Sequence, residues 1–294
     1  MTRHHPSFHE FPLPEEPVPH GFDRDFLGVL TRLDFEDRKF NPGYPEFEQH
    51  YFEWIALLES VLDARDRYTL IELGAAYGVW SVRAAVAIRR RFGAMPVRLI
   101  AVEADPFHFD WMKLHFSDNR LRPEDHTLLH AAVSAGGRSL PFLVRSPEGT
   151  ERPNTWFGQA LADWAGEVVE ADAGEYGGRT VRLHENGWGS IAVPQITLPA
   201  ILDQVDRADL LHMDIQGMEY EVLNSAIDSV TSKVRRIAAA THSREIDKGL
   251  RALLLSRGWQ CAAAYAPGET AETSWGQLSF ADGVQVWLNP NRLC

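Results

Sequence analysis

At 294 residues and 45% hydrophobic content, the chain suffices for one large domain, or for one domain with an appendage. A net charge of −12 argues against a nucleic-acid groove, which needs clustered cations. The two cysteines, Cys261 and Cys294, do not suggest a disulfide framework or a thiolate metal site. The opening Met1-Thr-Arg-His-His-Pro lacks the apolar core of a signal peptide, and no run approaches a membrane span, so the expectation is a soluble, cytoplasmic protein with no membrane partner.

Residues 1–45 are rich in proline, histidine and acids and read as an extended arm, packed on the body or on a partner subunit. That choice leaves a homo-oligomer open. His4, His5, His9 and His20 fall in this arm and read as solvated. A helix is expected over 46–64, where Phe47, Tyr51, Trp54, Ile55, Leu58 and Leu62 recur at spacings of three and four. From Tyr68 the pattern alternates. Strands are expected at 68–73, 97–103, 126–133, 208–214, 234–241, 259–265 and 283–288, and helices at 78–92, 106–117, 219–229 and 245–257. Short apolar strands between amphipathic helices imply an α/β fold, with a parallel sheet covered on both faces. The last two strands have no helix between them and are expected to pair antiparallel at the sheet edge. Arg89-Arg90-Arg91 fits the last turn of a helix, where cations offset the macrodipole. The organisation is thus 1–67, arm and helix, and 68–294, the main domain, with an insertion at about 135–207. Strand-like pieces near 140–145 and 193–198 and Trp156, Trp164 and Trp188 mark that insertion, which reads as acceptor-side or, more plainly, as a surface hairpin.

Three clusters carry chemistry. The first is Tyr68-Thr-Leu-Ile-Glu-Leu-Gly-Ala-Ala-Tyr-Gly-Val-Trp-Ser81, an apolar run that reaches Glu72 and breaks into a turn spaced Glu-x-Gly-x-x-x-Gly (Glu72, Gly74, Gly78). About 25 residues later a second run ends at Glu103, placed to grip the hydroxyls of a ribose. A dinucleotide fingerprint has its middle glycine where this chain has Ala76, flanked by Tyr77. The turn therefore suits a nucleoside without a diphosphate, S-adenosylmethionine above all. The second cluster, Met213-Asp-Ile-Gln-Gly-Met-Glu219, takes a strand to Asp214 and opens a helix at Glu219. The third, Ala240-Thr-His-Ser243, brings His242 to the same sheet edge. Asp214, Glu219 and His242 together suit a hard divalent cation, or a base with its orienting carboxylate. Singly, each has a plainer reading: a turn cap, a first-turn acid and a loop histidine. His212, two residues before Asp214, reads as its supporting partner. No Gly-x-Ser-x-Gly elbow, Walker loop or His-Glu-x-x-His occurs.

Over about residues 68–260 the chain resembles the FkbM-type methyltransferases of the class I S-adenosylmethionine-dependent group. The resemblance rests on Ile71-Glu-Leu-Gly-Ala-Ala-Tyr-Gly-Val-Trp-Ser81, Val102-Glu-Ala-Asp-Pro106, Ala131-Ala-Val-Ser134 and, most specifically, Met213-Asp-Ile-Gln-Gly-Met-Glu219. It implies a Rossmann-like, mostly parallel seven-stranded sheet with an antiparallel edge strand. It also implies methyl transfer to a hydroxyl of a sugar, glycan or natural product. Glu72, Gly74, Ala75, Tyr77, Gly78 and Ser81 match the turn that holds the methionine part, Glu103 with Ala104 the ribose end, and Ala132 and Val133 the adenine side. Asp214 matches the aspartate near the transfer centre. Some relatives use Mg2+ or another divalent cation, which makes Asp214, Glu219 and His242 candidate ligands. The chain departs from the pattern where members often carry Asp and Asn, at Glu72 and Ala76, and at Leu198-Pro199 in place of Leu-Asp.

The expected reaction is in-line displacement by an acceptor hydroxyl, with His242 and Asp214 as the catalytic residues. His242 serves either as general base or as metal ligand. Two rivals stand beside it. A nicotinamide oxidoreductase would share the fold but carry the tighter glycine fingerprint. A non-catalytic Rossmann-like binding protein would have lost the cofactor acids.

Overall fold

The computed structural model describes residues 4–35, 43–136, 140–145, 161 and 165–292. Seven strands form the main sheet, named in chain order β1 (Tyr68–Leu73), β2 (Val97–Glu103), β3 (Thr127–His130), β4 (Leu210–Met213), β5 (Arg236–Thr241), β6 (Gln260–Tyr265) and β7 (Gly283–Leu288). Their spatial order is β6-β7-β5-β4-β1-β2-β3. β1 to β5 run parallel, and β7 is antiparallel to both β5 and β6. The antiparallel strand thus lies one place in from the edge. All six residues of β1 are buried, as befits a central strand covered on both faces.

Among the described residues, the helices that flank the sheet include α1 (Tyr51–Leu62), α2 (Val79–Phe92), α3 (Pro106–Asp118), α4 (Glu219–Ser225), α5 (Ile227–Lys233) and α6 (Arg244–Ser256). α3 starts on Asp105, whose carboxylate accepts from Phe107 N and His108 N, with Pro106 at the first turn. The single helix expected over 219–229 is instead α4 and α5. Ala226, at φ −121°, leaves helical geometry between them and lets each segment bury its own apolar residues.

The arm is packed on the body. It holds a short helix, Pro6–His9, and a hairpin pairing Phe22–Arg24 with Leu30–Arg32. Phe8, Phe11, Phe26, Leu27, Val29 and Phe35 are buried in it, each worth about 1.5–3 kcal/mol against exposure. His4 and His5 are half-buried rather than solvated, because His5 caps the short helix and its backbone N–H donates to the Tyr51 hydroxyl. His9 and His20 are exposed. Two of the three arginines ending α2 serve the arm as well as the dipole: Arg90 donates to the carbonyls of Pro12 and Phe26, and Arg91 pairs with Glu10, while Arg89 donates to the Asn119 carbonyl.

In the 135–207 region, Phe142–Arg145, Gly189–Ile191, Arg182–His184 and Val168–Glu170 form an antiparallel sheet in that order. A hairpin pairs Glu175–Tyr176 with Arg179–Thr180, and Gln195–Thr197 runs parallel to Ala132–Ser134. Trp188 is half-buried against Leu143 and Ala165. Trp156 and Trp164 lie outside the described residues. Among the described residues, no helix is long and apolar enough to cross a membrane.

Candidate active site

The carboxyl ends of β1, β2, β4 and β5 meet at one edge, and two turns there touch each other. A Cβ on Gly74, which has φ +73°, would lie 1.8 Å from the Asp214 carbonyl oxygen. Glycine is the only residue that lets the β1 turn sit against the backbone after β4. The Asp214 N–H also donates to Leu73 O, at 2.9 Å.

In the β1 turn, Glu72 is buried and accepts from Trp80 N and Ser81 N, each at 2.9 Å. It satisfies the orphan N–H groups that open α2 and fixes the turn to the helix. Burial raises its carboxyl above the ordinary range, against the opposing influence of His212 and of those N–H donors. Ala76 holds φ +51°, a left-handed backbone stabilised by its N–H donating to Glu103 Oε2 at 2.6 Å. Glu103 Oε1 accepts from Asp105 N at 2.7 Å. Glu103 is buried, and desolvation pushes its carboxyl up to about 8 even though both N–H bonds favour the charged form. Ala75, Ala104, Ala132 and Val133 are buried around it. Ser81 is buried with its N–H on Glu72. The ring of Tyr77 is turned into the core between Phe35 and His115, and its carbonyl accepts from His115 Nδ1 at 3.0 Å. Side-chain contact between Tyr77 and a ligand is therefore not what this geometry offers.

In the second turn, Gln216 (φ +50°) and Gly217 (φ +100°) reverse the chain, and Gly217 N donates to both oxygens of the fully buried Glu219, at 3.0 and 3.1 Å. Glu219 Oε1 in turn accepts from His242 Nδ1 at 2.7 Å, and His242 Nε2 lies 3.4 Å from Asp214 Oδ1. The ligating atoms of Asp214, Glu219 and His242 lie within 4.8 Å of one another. Asp214 Oδ1 is buried without a hydrogen bond, although 41% of the side chain is exposed. One oxygen thus faces the triad while the rest opens outward. Burial works against a charge on His242, but the Glu219 bond and the charges of Glu219, Asp214 and Asp282 outweigh it and push His242 up to about 9. Burial also raises the Asp214 carboxyl, with His242 opposing.

His212 makes its hydrogen bond to Glu53 rather than to Asp214. It is the cross-strand neighbour of Glu72, its ring lies 5.3 Å from that of Trp80, and its Nε2–H donates to Glu53 Oε1 at 2.8 Å. Asp214 stands past the strand end, so the two-residue alternation that would share a face no longer applies. The sequence reading missed Glu53, a buried acid on α1. The signal was its place inside an aromatic run, Tyr51-Phe-Glu-Trp54, where a lone charge needs a buried partner.

A doubly covered parallel sheet with a nucleoside-type turn after β1 and an acid ending β2 defines a Rossmann-like α/β protein. A family model described as the methyltransferase FkbM domain matches residues 72–261, and the chain belongs to that methyltransferase family. It is similar to a "Putative methyltransferase" of Jannaschia sp. (strain CCS1), 28% identical over an alignment of 282 residues, with 92% of this chain and 93% of the relative covered. Similar solved structures include a precorrin-6y C5,15-methyltransferase from Geobacter metallireducens, at 12% identity and TM-score 0.42, covering 80% of this chain and 85% of that one. Another is a methyltransferase FkbM from Methylobacillus flagellatus, at 13% identity and TM-score 0.39, covering 76% and 44%.

Proposed function

We propose that the chain transfers a methyl group from S-adenosylmethionine to a hydroxyl oxygen of a sugar, glycan or natural product, with a divalent cation held by Asp214, Glu219 and His242. The observation that carries this reading is the triad itself, two carboxylates and an imidazole converging beside the donor turn. Two carboxylates and one imidazole nitrogen suit a divalent cation, and the buried Asp214 Oδ1, 3.4 Å from His242 Nε2, makes no hydrogen bond. When bound, such a cation lowers the proton cost of a hydroxyl nucleophile.

The protein's own residues do the rest. Glu72 rigidifies the β1 turn, and Glu103 offers a carboxyl to the ribose hydroxyls. Ala104, Ala132 and Val133 form the apolar wall for the base. Glu219 orients His242 through Nδ1, leaving Nε2 toward Asp214. The acceptor oxygen forms a bond to the methyl carbon as the carbon–sulfur bond breaks, the electron pair goes to sulfur and the hydroxyl proton passes to solvent water.

A second reading uses no cation. The 2.7 Å Glu219 bond orients His242, and its neutral form, populated as pH rises toward about 9, takes that proton at Nε2. Activity by this route should rise with pH over that range. Chelation separates the two. Under the first reading, activity against a panel of glycans and nucleotide sugars, read as a mass gain of one methyl, falls at least 100-fold in chelator and returns with Mg2+ or Mn2+. Full turnover in chelator removes the cation, and normal turnover of His242→Ala removes the base.

A further inference from the structure

The hairpin pairing Glu175–Tyr176 with Arg179–Thr180 belongs to the insertion, 71 positions in sequence from the residue it grips. The Tyr176 hydroxyl donates to Asp105 Oδ2 at 2.7 Å, and its ring meets Phe107 edge-on at 5.0 Å. Both partners are buried, Asp105 completely. Asp105 Oδ1 accepts from Phe107 N and His108 N at 2.8 and 3.1 Å, while the Asp105 N–H donates to Glu103 Oε1 at 2.7 Å. Glu103 Oε2 accepts from Ala76 N. One continuous chain of hydrogen bonds therefore runs from the insertion through Asp105 and Glu103 to the turn after β1.

Packing against Phe107 asks only for an aromatic ring. The hydroxyl serves the buried Asp105 carboxylate, donating to Oδ2 as no phenylalanine could. The contact is also close in the backbone: a Cβ on Gly177, at φ +55°, would lie 2.2 Å from Pro106 Cγ. The hairpin thus presses on the residue that follows Asp105.

We infer that Tyr176 is a positioning residue for the donor's ribose: by holding Asp105 from the insertion it fixes the backbone N–H that sets the Glu103 carboxyl. The inference rests on the proposed S-adenosylmethionine reading. It makes the insertion a part of donor recognition, besides any acceptor role. Asp105 itself is too buried to touch a ligand, so the effect reaches the ribose only through Glu103.

Calorimetry on the whole 294-residue chain tests this with S-adenosylmethionine and its 2′,3′-dideoxy analogue. Tyr176→Phe keeps the ring and is expected to weaken the parent donor about ten-fold or more, the worth of one hydrogen bond to a charged group. It should leave the analogue within about two-fold of wild type, because that ligand lacks the hydroxyls Glu103 would hold. Turnover at saturating donor should be unchanged, so the effect falls on KM. Gly177→Ala, which lifts the hairpin off Pro106, should give the same ligand-selective loss. Equal weakening for both ligands, or none for either, in a variant whose melting point matches wild type overturns the inference. Wild-type protein that gives no heat with S-adenosylmethionine overturns the donor reading and the inference with it.

Discussion

At Glu103 the fold sets burial against hydrogen bonding. Two backbone N–H groups favour the carboxylate, and desolvation outweighs them, so the group holds its proton up to about pH 8, against 4.5 ordinarily. Between those values the native state binds a proton that the unfolded chain has released. The contribution to stability is fully present below pH 4.5 and is lost as pH rises through 8, by at most about 4–5 kcal/mol. Glu103→Gln cannot titrate. The difference in denaturation free energy between pH 5 and pH 9 should shrink by a few kcal/mol in this variant, and its affinity for S-adenosylmethionine should drop at least ten-fold. An unchanged pH difference would refute the buried, protonated state. The residue's identity as the acid ending β2 was legible from the apolar run before it. Its bonds to Ala76 and Asp105 were not, because they depend on how two turns approach in space.

At the scale of elements, the two catalytic-edge turns and the arm are the parts that must fit each other. Gly74→Ala would place a methyl 1.8 Å from Asp214 O at a positive φ. Neither turn can yield without shifting a central strand. The variant should lose several kcal/mol of stability, or fold with Asp214 displaced and activity down at least 100-fold, read by chemical denaturation and turnover. The arm meets the domain through Arg83, whose guanidinium lies over the rings of Trp54 and Trp80 and bonds Asp25 at 3.2 Å. Arg83→Ala would strand the buried Asp25, at an expected cost of about 3–5 kcal/mol measured by denaturation. The main-sheet strands other than β3 and the helices α2, α3 and α6 were readable within a residue or two from periodicity, since burial on both faces leaves an unbroken apolar run. The run expected at 126–133 instead leaves the main sheet after His130, and Ala132–Ser134 pairs with Gln195–Thr197. The break at Ala226 and the packed arm were not readable. Both depend on which surfaces happen to face each other.

Across the whole molecule, titrating groups buried in the fold predict its pH profile without ligands. His115 is held neutral down to about pH 3 by burial, which the Tyr77 bond opposes, against 6.5 unfolded. Its contribution is present above pH 6.5 and is lost as pH falls toward 3, since the unfolded chain then binds the extra proton. Glu103 acts in the opposite sense from pH 4.5 to 8, and His242 likewise from 6.5 to about 9, because its charged form is stabilised in the fold. Between pH 4.5 and 6.5 His115 and Glu103 oppose each other. Above 6.5 only losses remain. Thermal melts of the ligand-free, chelated protein should therefore show the melting point falling from pH 6.5 to 9, and bound donor or cation should flatten that slope. A level profile over that range would contradict the assignments.

By itself, the sequence determined the alternation of strands and helices, the small-residue turn after Glu72, the acid at Glu103 and the Asp214–Glu219 turn. These are local signals, set by the periodicity of burial and by backbone rules that act over a few residues. Only the tertiary structure decided that His212 belongs to Glu53, 159 positions away, that Tyr77 faces the core, and that the insertion reaches Asp105. The partner of a buried polar group is chosen by proximity in the folded chain. Residue type announces that such a partner must exist, and packing alone selects it.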